Sequence, residues 1–158
     1  MILTKPFVAP AHRAAPTAQR RSEDLLTEAQ ILAMPAAQYM NAAQIDFFTA
    51  RLSSIEADLV DRTRRVDSEL ATGAAGADPV DRATLEEEHQ MALSARARDV
   101  EQLMAVRGAL TRIAAGDFGY CIETGDPIGI ARLLVRPTAL LTMEAQQRQE
   151  NLNRRVRI

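Results

Sequence analysis

Between Asn41 and Gly116 the apolar residues fall on a helical stripe, stop at a stretch of small residues, and resume. Ile45, Phe48, Leu52, Ile55, Leu59, Val66 and Leu70 are spaced by 3, 4, 3, 4, 7 and 4 residues. That is a heptad seam, the pattern by which one helix packs along another. It skips one core position, where Arg62 stands and can pair across to the partner helix. Asn41 is suited to cap the helix start, with Gln44 at capping-box spacing. The stretch ATGAAGA at 71–77 carries Gly73 and Gly76, which suit a helix stop and a reversal. Asp78-Pro79-Val80-Asp81 then starts a second helix. The Asp78 carboxylate can accept from orphan N–H groups, Pro79 loses no hydrogen bond at the first helical position, and Asp81 lies where the helix dipole favours an anion. The second seam runs through Leu85, Ala92, Val100, Leu103, Val106, Leu110 and Ile113, regular only from Leu103 onward, and ends near Gly116. Two helices of ~30 residues reach ~45 Å, more than the small remainder needs to enclose a core, so the hairpin projects.

Composition narrows what such a hairpin serves. The chain has 158 residues, 47% hydrophobic and 25% charged, with a net charge of −2. A slightly acidic total argues against a general nucleic-acid binder, which needs a basic face to displace phosphate counterions. No apolar run approaches the ~20 residues that span a bilayer, and residues 1–22 show no secretory signal. One cysteine, Cys121, has no intrachain partner, so the expected location is a reducing cytoplasm. Charge is unevenly spread. Seven acids face one base, Arg82, between Asp67 and Glu88, whereas the last eleven residues hold four arginines and one acid.

The flanks differ in character. Residues 1–22 contain Pro6, Pro10 and Pro16 without a sustained period and read as disordered. Residues 23–34 suit a short helix ending before Pro35. After the hairpin, DFGYCIETGDPIGIARLLVRPTAL is rich in turn residues, and Ile128 to Val135 is expected to supply short extended pieces. A last helix is expected from about Pro137 to Asn153, with a basic end. The expected division is an N-terminal extension at 1–38, a hairpin at 39–116 with its tip at 71–83, and a head at 117–158.

Few residues invite chemistry. Asp117-Phe118-Gly119 spells a kinase metal triad, but neither a glycine-rich loop nor a catalytic loop accompanies it, so it reads as a turn. His12 and His89 are the only histidines, and His89 has no spaced partner. Glu86-Glu87-Glu88 reads as a solvated helix face. No triad, phosphate loop or paired-carboxylate cleft is present, and the chain is expected not to be an enzyme.

Three segments, in order, carry a resemblance: YMNAAQIDFF before the hairpin, DPVDRATLEEE at its turn, and GDFGYCIETGDPIGIARLLVRPTA after it. Together they resemble the DksA/TraR family, over about Tyr39 to Ala145. The resemblance implies a mainly α fold, a long antiparallel coiled-coil hairpin beside a small zinc-finger-like head with a C-terminal helix. It also implies a transcription regulator that binds bacterial RNA polymerase through the secondary channel and alters open-complex stability at promoters such as those of ribosomal RNA, in the stringent response with ppGpp. Asp78, Asp81 and Ala83 fall on the functional tip positions. Read from the residues alone, Asp-Pro-x-Asp at a helix start is a cap; the two readings are compatible, because Asp78 can cap while Asp81 points outward.

The head departs from the family pattern. Where many members resemble a four-cysteine zinc finger, the positions here read Cys121, Thr124, Thr142 and Ala145. One thiolate does not complete a tetrahedral structural site, and the expectation is that no zinc is bound. Apolar contacts from Phe118, Tyr120, Ile122, Ile128, Ile130, Leu133, Leu134, Leu140, Leu141 and Met143 would then hold the head. Cys121 reads as a small buried residue rather than a redox sensor. For ppGpp, the resemblance carries Arg98 and Arg136 onto contact positions, while Ala105 and Gln146 stand where lysines would be. A weakened or rearranged nucleotide site follows, and both arginines as plain surface charges stays open as an alternative. A monomer without sequence-specific DNA binding is expected. The competing readings are a general coiled-coil adaptor, needing only the seam and basic tail, and a DNA-binding head using the terminal arginines.

Overall fold

The structure, a computed structural model, describes residues 26–72 and 79–156, with side chains at 26–69 and 86–155. Among the described residues five α-helices follow one another: α1 Glu28–Leu32, α2 Ala42–Thr72, α3 Pro79–Ala115, α4 Ile130–Val135 and α5 Met143–Val156, with one 3-10 turn at Ala36–Gln38. No strand occurs among the described residues, only an isolated bridge between Tyr120 and Pro127.

The hairpin is formed by α2 and α3, of 31 and 37 residues, about 46 and 55 Å long at the helical rise. Asn41 caps α2 as its sequence requires. Its Oδ1 accepts from the Gln44 N–H at 2.9 Å, and Gln44 Oε1 accepts from the Met40 N–H at 2.7 Å. The Gln44 N–H, an orphan donor of the first turn, is thus satisfied, and the Gln44 side chain ties the turn back to the residue before the cap. α3 begins at Pro79, where a missing N–H costs nothing.

Along the hairpin, Phe48, Leu52 and Leu59 of α2 are buried with Val106 and Ala109 of α3. Ile55, Leu103, Leu110 and Ile113 pack partly buried against them. Outside this seam runs a ladder of ion pairs. Glu56 accepts from Arg107 at 2.7 Å, Arg62 meets Asp99 at 3.5 Å, and Asp67 pairs with Arg96. As the numbers rise on α2 they fall on α3, the order of an antiparallel pair. Arg62 holds its skipped core position by reaching across the hairpin.

The head stacks on the hairpin base through Phe48 and Phe118, whose ring centroids lie 5.4 Å apart. Phe118, Cys121, Ile128, Leu133, Leu134, Ala139 and Ala145 continue the same core. Four expectations change here. Residues 130–135 are helical, not extended: Gly129 turns the chain with φ 95°, and Leu133 and Leu134 face inward from a single short helix. The last helix begins at Met143 rather than near Pro137, capped by the Thr142 hydroxyl, which accepts from the Ala145 N–H at 3.2 Å. Ile122, Leu140 and Met143, expected inside, are exposed, Ile122 at 64%. Ile122 and Leu140 are joined instead by a backbone hydrogen bond at 3.0 Å, Ile122 donating. The short N-terminal helix is limited to Glu28–Leu32, with a complete capping box from Thr27 and Gln30. It packs on α4 with Ile31 fully buried.

Candidate functional site

The described helices α2 and α3 run to Thr72 and from Pro79, on either side of the expected tip. Of the three tip positions, Asp81 and Ala83 lie in the first turns of α3, and Asp78 lies outside the described residues. Behind them Glu86, Glu87 and Glu88 are all exposed, so the described part of α3 nearest the tip presents acid to solvent. Among the described residues, α3 is held against α2 by the apolar seam and by the ion pairs Glu56–Arg107, Arg62–Asp99 and Asp67–Arg96.

At the other end, Arg112 locks α3 into the head. Its guanidinium donates to the Asp117 carbonyl at 2.7 Å and to the Tyr120 carbonyl at 2.5 Å. From the N-terminal side, Tyr39 reaches the same loop. Its hydroxyl donates to the Gly119 carbonyl at 2.5 Å and accepts from the Gly129 N–H at 3.2 Å. Burial raises the Tyr39 pKa, opposed by that Gly129 N–H and reinforced by Tyr120, so the phenol stays protonated and keeps donating. The sequence marked Tyr39 only as the start of YMNAAQIDFF and gave it no role. A tyrosine just before a helix cap is common, and only the fold shows that it meets two loops 80 and 90 residues away.

The four positions of the expected finger come together at the head. Cys121 is buried. Burial pushes its thiol up, but the Thr124 hydroxyl and the backbone N–H groups of Thr142, Thr124 and Glu123 outweigh that and lower its pKa from 9.0 to about 7. A cradle of N–H groups aimed at sulfur favours the thiolate. The expectation that Cys121 is a small buried residue holds for its burial.

Arg98 and Arg136 are both exposed, and neither joins an ion pair among the described residues. Gln146, standing at an expected lysine position, is engaged inside the head. It accepts from Arg132 and donates to Glu150 at 2.8 Å. Arg132 also donates to the Leu141 carbonyl at 3.1 Å, so one guanidinium joins α4, the loop before α5 and α5 itself. Among the described residues, no helix is long and apolar enough to cross a membrane.

Comparison with known proteins agrees with this plan. Residues 44–113 match the family described as DnaK suppressor protein DksA, N-terminal domain, and residues 116–151 match the prokaryotic dksA/traR C4-type zinc finger. The chain belongs to the DksA/TraR family. It is 37% identical over 117 residues to the RNA polymerase-binding transcription factor DksA of Caulobacter vibrioides, covering 73% of this chain and 82% of that one. It is also 37% identical over 113 residues to the protein of the same name from Escherichia coli K12, covering 71% and 75%. The solved structure of transcription factor DksA2 from Pseudomonas aeruginosa is similar with a TM-score of 0.74 and 42% identity, over 81% of this chain and 99% of that chain.

The zinc-finger match corrects the expectation that the head takes no zinc: a C4-type finger over residues 116–151 points to zinc binding. The residues at the four positions do not fit a four-thiolate site. Cys121 offers one sulfur. The Thr124 and Thr142 hydroxyls are engaged by the N–H groups of Asp126 and Ala145, and Ala145 is a buried methyl. Among the described residues no group of three His, Cys, Asp or Glu is placed to hold a metal.

Proposed function

We propose that this chain binds bacterial RNA polymerase and regulates transcription by inserting the α2–α3 hairpin into the secondary channel, so that its tip approaches the active centre. The observation that carries the reading is a hairpin about 50 Å long, held rigid by the seam and ladder, in a chain whose relatives are named RNA polymerase-binding transcription factors. The helices are too long to serve only the core of the head. In this reading residues 1–38 are an N-terminal extension, 39–116 the inserted hairpin and 117–158 the head that seats it.

Asp78, Asp81 and Ala83 act at the tip: Asp78 as the helix cap, Asp81 as the reaching carboxylate, Ala83 as the small residue permitting close approach. The carboxylates work by electrostatics beside a metal-dependent active centre and do no chemistry themselves, so the protein is a non-enzymatic, cytoplasmic regulator acting as a monomer without sequence-specific DNA contacts. Arg98 and Arg136 contribute to a ppGpp contact at the polymerase interface, with synergy weakened by Ala105 and by the engaged Gln146. Exposure, with no ion pair among the described residues, supports that role, since arginine suits bidentate phosphate contacts.

Runoff transcription on a ribosomal RNA promoter, with and without ppGpp, tests the proposal. A change in open-complex lifetime on adding the protein is expected. A general coiled-coil adaptor would leave purified transcription unchanged, and a DNA binder would show salt-dependent affinity for the promoter without polymerase.

A further inference from the structure

The hairpin joins the head covalently only at Gly116, whose φ of 82° ends α3 in a left-handed turn with open space around it. A glycine at that point is a swivel unless other contacts fix the angle, and the Arg112 bonds to the head and the Phe48–Phe118 stack limit it from the side of α3 and the core. The N-terminal unit supplies such contacts from both sides. Glu28 of α1 pairs with Arg51 of α2, while Ile31 is buried and α1 packs on α4 of the head. Between them, Met40 takes a left-handed φ of 53° and lays its side chain under Gly119, where even a methyl would collide at 2.7 Å. Next to it the Tyr39 hydroxyl joins two loop backbones at once, donating to the Gly119 carbonyl and accepting from the Gly129 N–H. The Tyr39 ring stands edge-on to Tyr120 at 5.5 Å.

We propose that Tyr39 is a positioning residue: its hydroxyl clasps the 119–129 loop to the start of α2 and so fixes the direction in which the hairpin leaves the head. The inference rests on the polymerase reading for its functional consequence only. The clasp tolerates Phe as a shape but not as a hydrogen-bonding group, because the ring contact with Tyr120 is kept while both loop contacts are lost.

The test compares full-length wild type with Tyr39→Phe, and uses Tyr120→Phe as a variant that keeps the clasp. Amide exchange at Gly129 is expected to quicken about fivefold to tenfold in Tyr39→Phe, the loss of one hydrogen bond. The distribution of distances between labels carried by unnatural amino acids at Glu88 and Gln149 is expected to broaden. Neither changes in Tyr120→Phe. In transcription, the maximal effect is expected to fall while the half-saturating concentration stays within about twofold, as expected when a bound hairpin is misaimed rather than unbound. Unchanged exchange at Gly129, or quickened exchange with an unbroadened distribution, overturns the clasp. So does failure of Tyr39→Phe to fold, which would make the hydroxyl a support of the fold. If wild type leaves purified transcription untouched, the polymerase reading fails, and the exchange and distance measurements still decide the clasp.

Discussion

The side-chain amide of Gln44 donates to the sulfur of Met34 at 3.3 Å. Gln44 is only 1% exposed, and its carbonyl oxygen is already taken by the Met40 N–H. The same sulfur receives the Asn41 amide at 3.7 Å. A thioether is therefore the acceptor on which both cap side chains of α2 converge. Met34→Leu keeps the volume and removes the acceptor. Leaving a buried amide unpaired costs about 1–2 kcal/mol, to be read as a lower urea midpoint with an unchanged slope. An unaltered midpoint would mean that the cap does not use the sulfur.

Two glycines with left-handed backbones separate strain from collision. Gly116→Ala meets nothing within 4 Å, so it costs only the backbone term, about 1 kcal/mol. Gly119→Ala adds a collision with the Met40 side chain at 2.7 Å, and overpacking adds about 1–3 kcal/mol. Met40→Ala in the Gly119→Ala background should recover part of the second loss and none of the first. Thermal unfolding of the four proteins checks the order.

Cys121 predicts a pH dependence. Its folded pKa lies below the unfolded value, about 7 against 9.0. The stability this contributes is present in full above the unfolded value and is lost as pH falls through the folded one. The stability difference between wild type and Cys121→Ala should thus rise from pH 7 to pH 9, and the thiolate absorbance of the folded protein should titrate near 7. A flat difference across that window would contradict the N–H cradle.

The ladder across the hairpin is partly solvent-exposed and should be weak singly. Arg62→Ala is expected to cost under about 1 kcal/mol at low salt, less at high salt. Exchanging the charges, Arg62→Asp with Asp99→Arg, should restore most of what either single change loses. A double-mutant cycle measures it.

For the tip, Asp81→Asn is expected to abolish the effect on open-complex lifetime while leaving polymerase affinity nearly intact. A competition assay that shows binding and regulation lost together would refute a role confined to the reaching carboxylate.

The hairpin was legible because its signals are local and repeated. A seam from Ile45 to Leu59 and a cap at Asn41 both state α2, a proline start at Pro79 states α3, and Arg62 announced itself by breaking the seam. The head was not, because its order comes from single long-range contacts. A helix of six residues, Ile130–Val135, is shorter than two turns and leaves no period to read. Ile122 looked like core on composition, yet it sits on a knuckle whose inward positions belong to Phe118 and Cys121. Tyr39 carried no signal of its role, since its partners are backbone atoms with no sequence identity. At the candidate site, the acid of the tip region and the exposure of Arg98 and Arg136 could be anticipated. The engagement of Gln146 by Arg132 could not, because it depends on where α5 begins.

The alternating pairs have a consequence for register. If α3 slipped along α2 in one direction, Glu56 would move towards Asp99 and Arg62 towards Arg96. A slip in the other direction would bring Arg62 towards Arg107 and Asp67 towards Asp99. Either displacement sets like charges opposite, so the helices have one register in which the signs agree. One helical turn is about 5.4 Å, comparable to the length of an acidic side chain. The ladder and the apolar seam together therefore favour one register of α3 along α2, since a slip of about one turn sets Arg62 against Arg96 or Asp67 against Asp99.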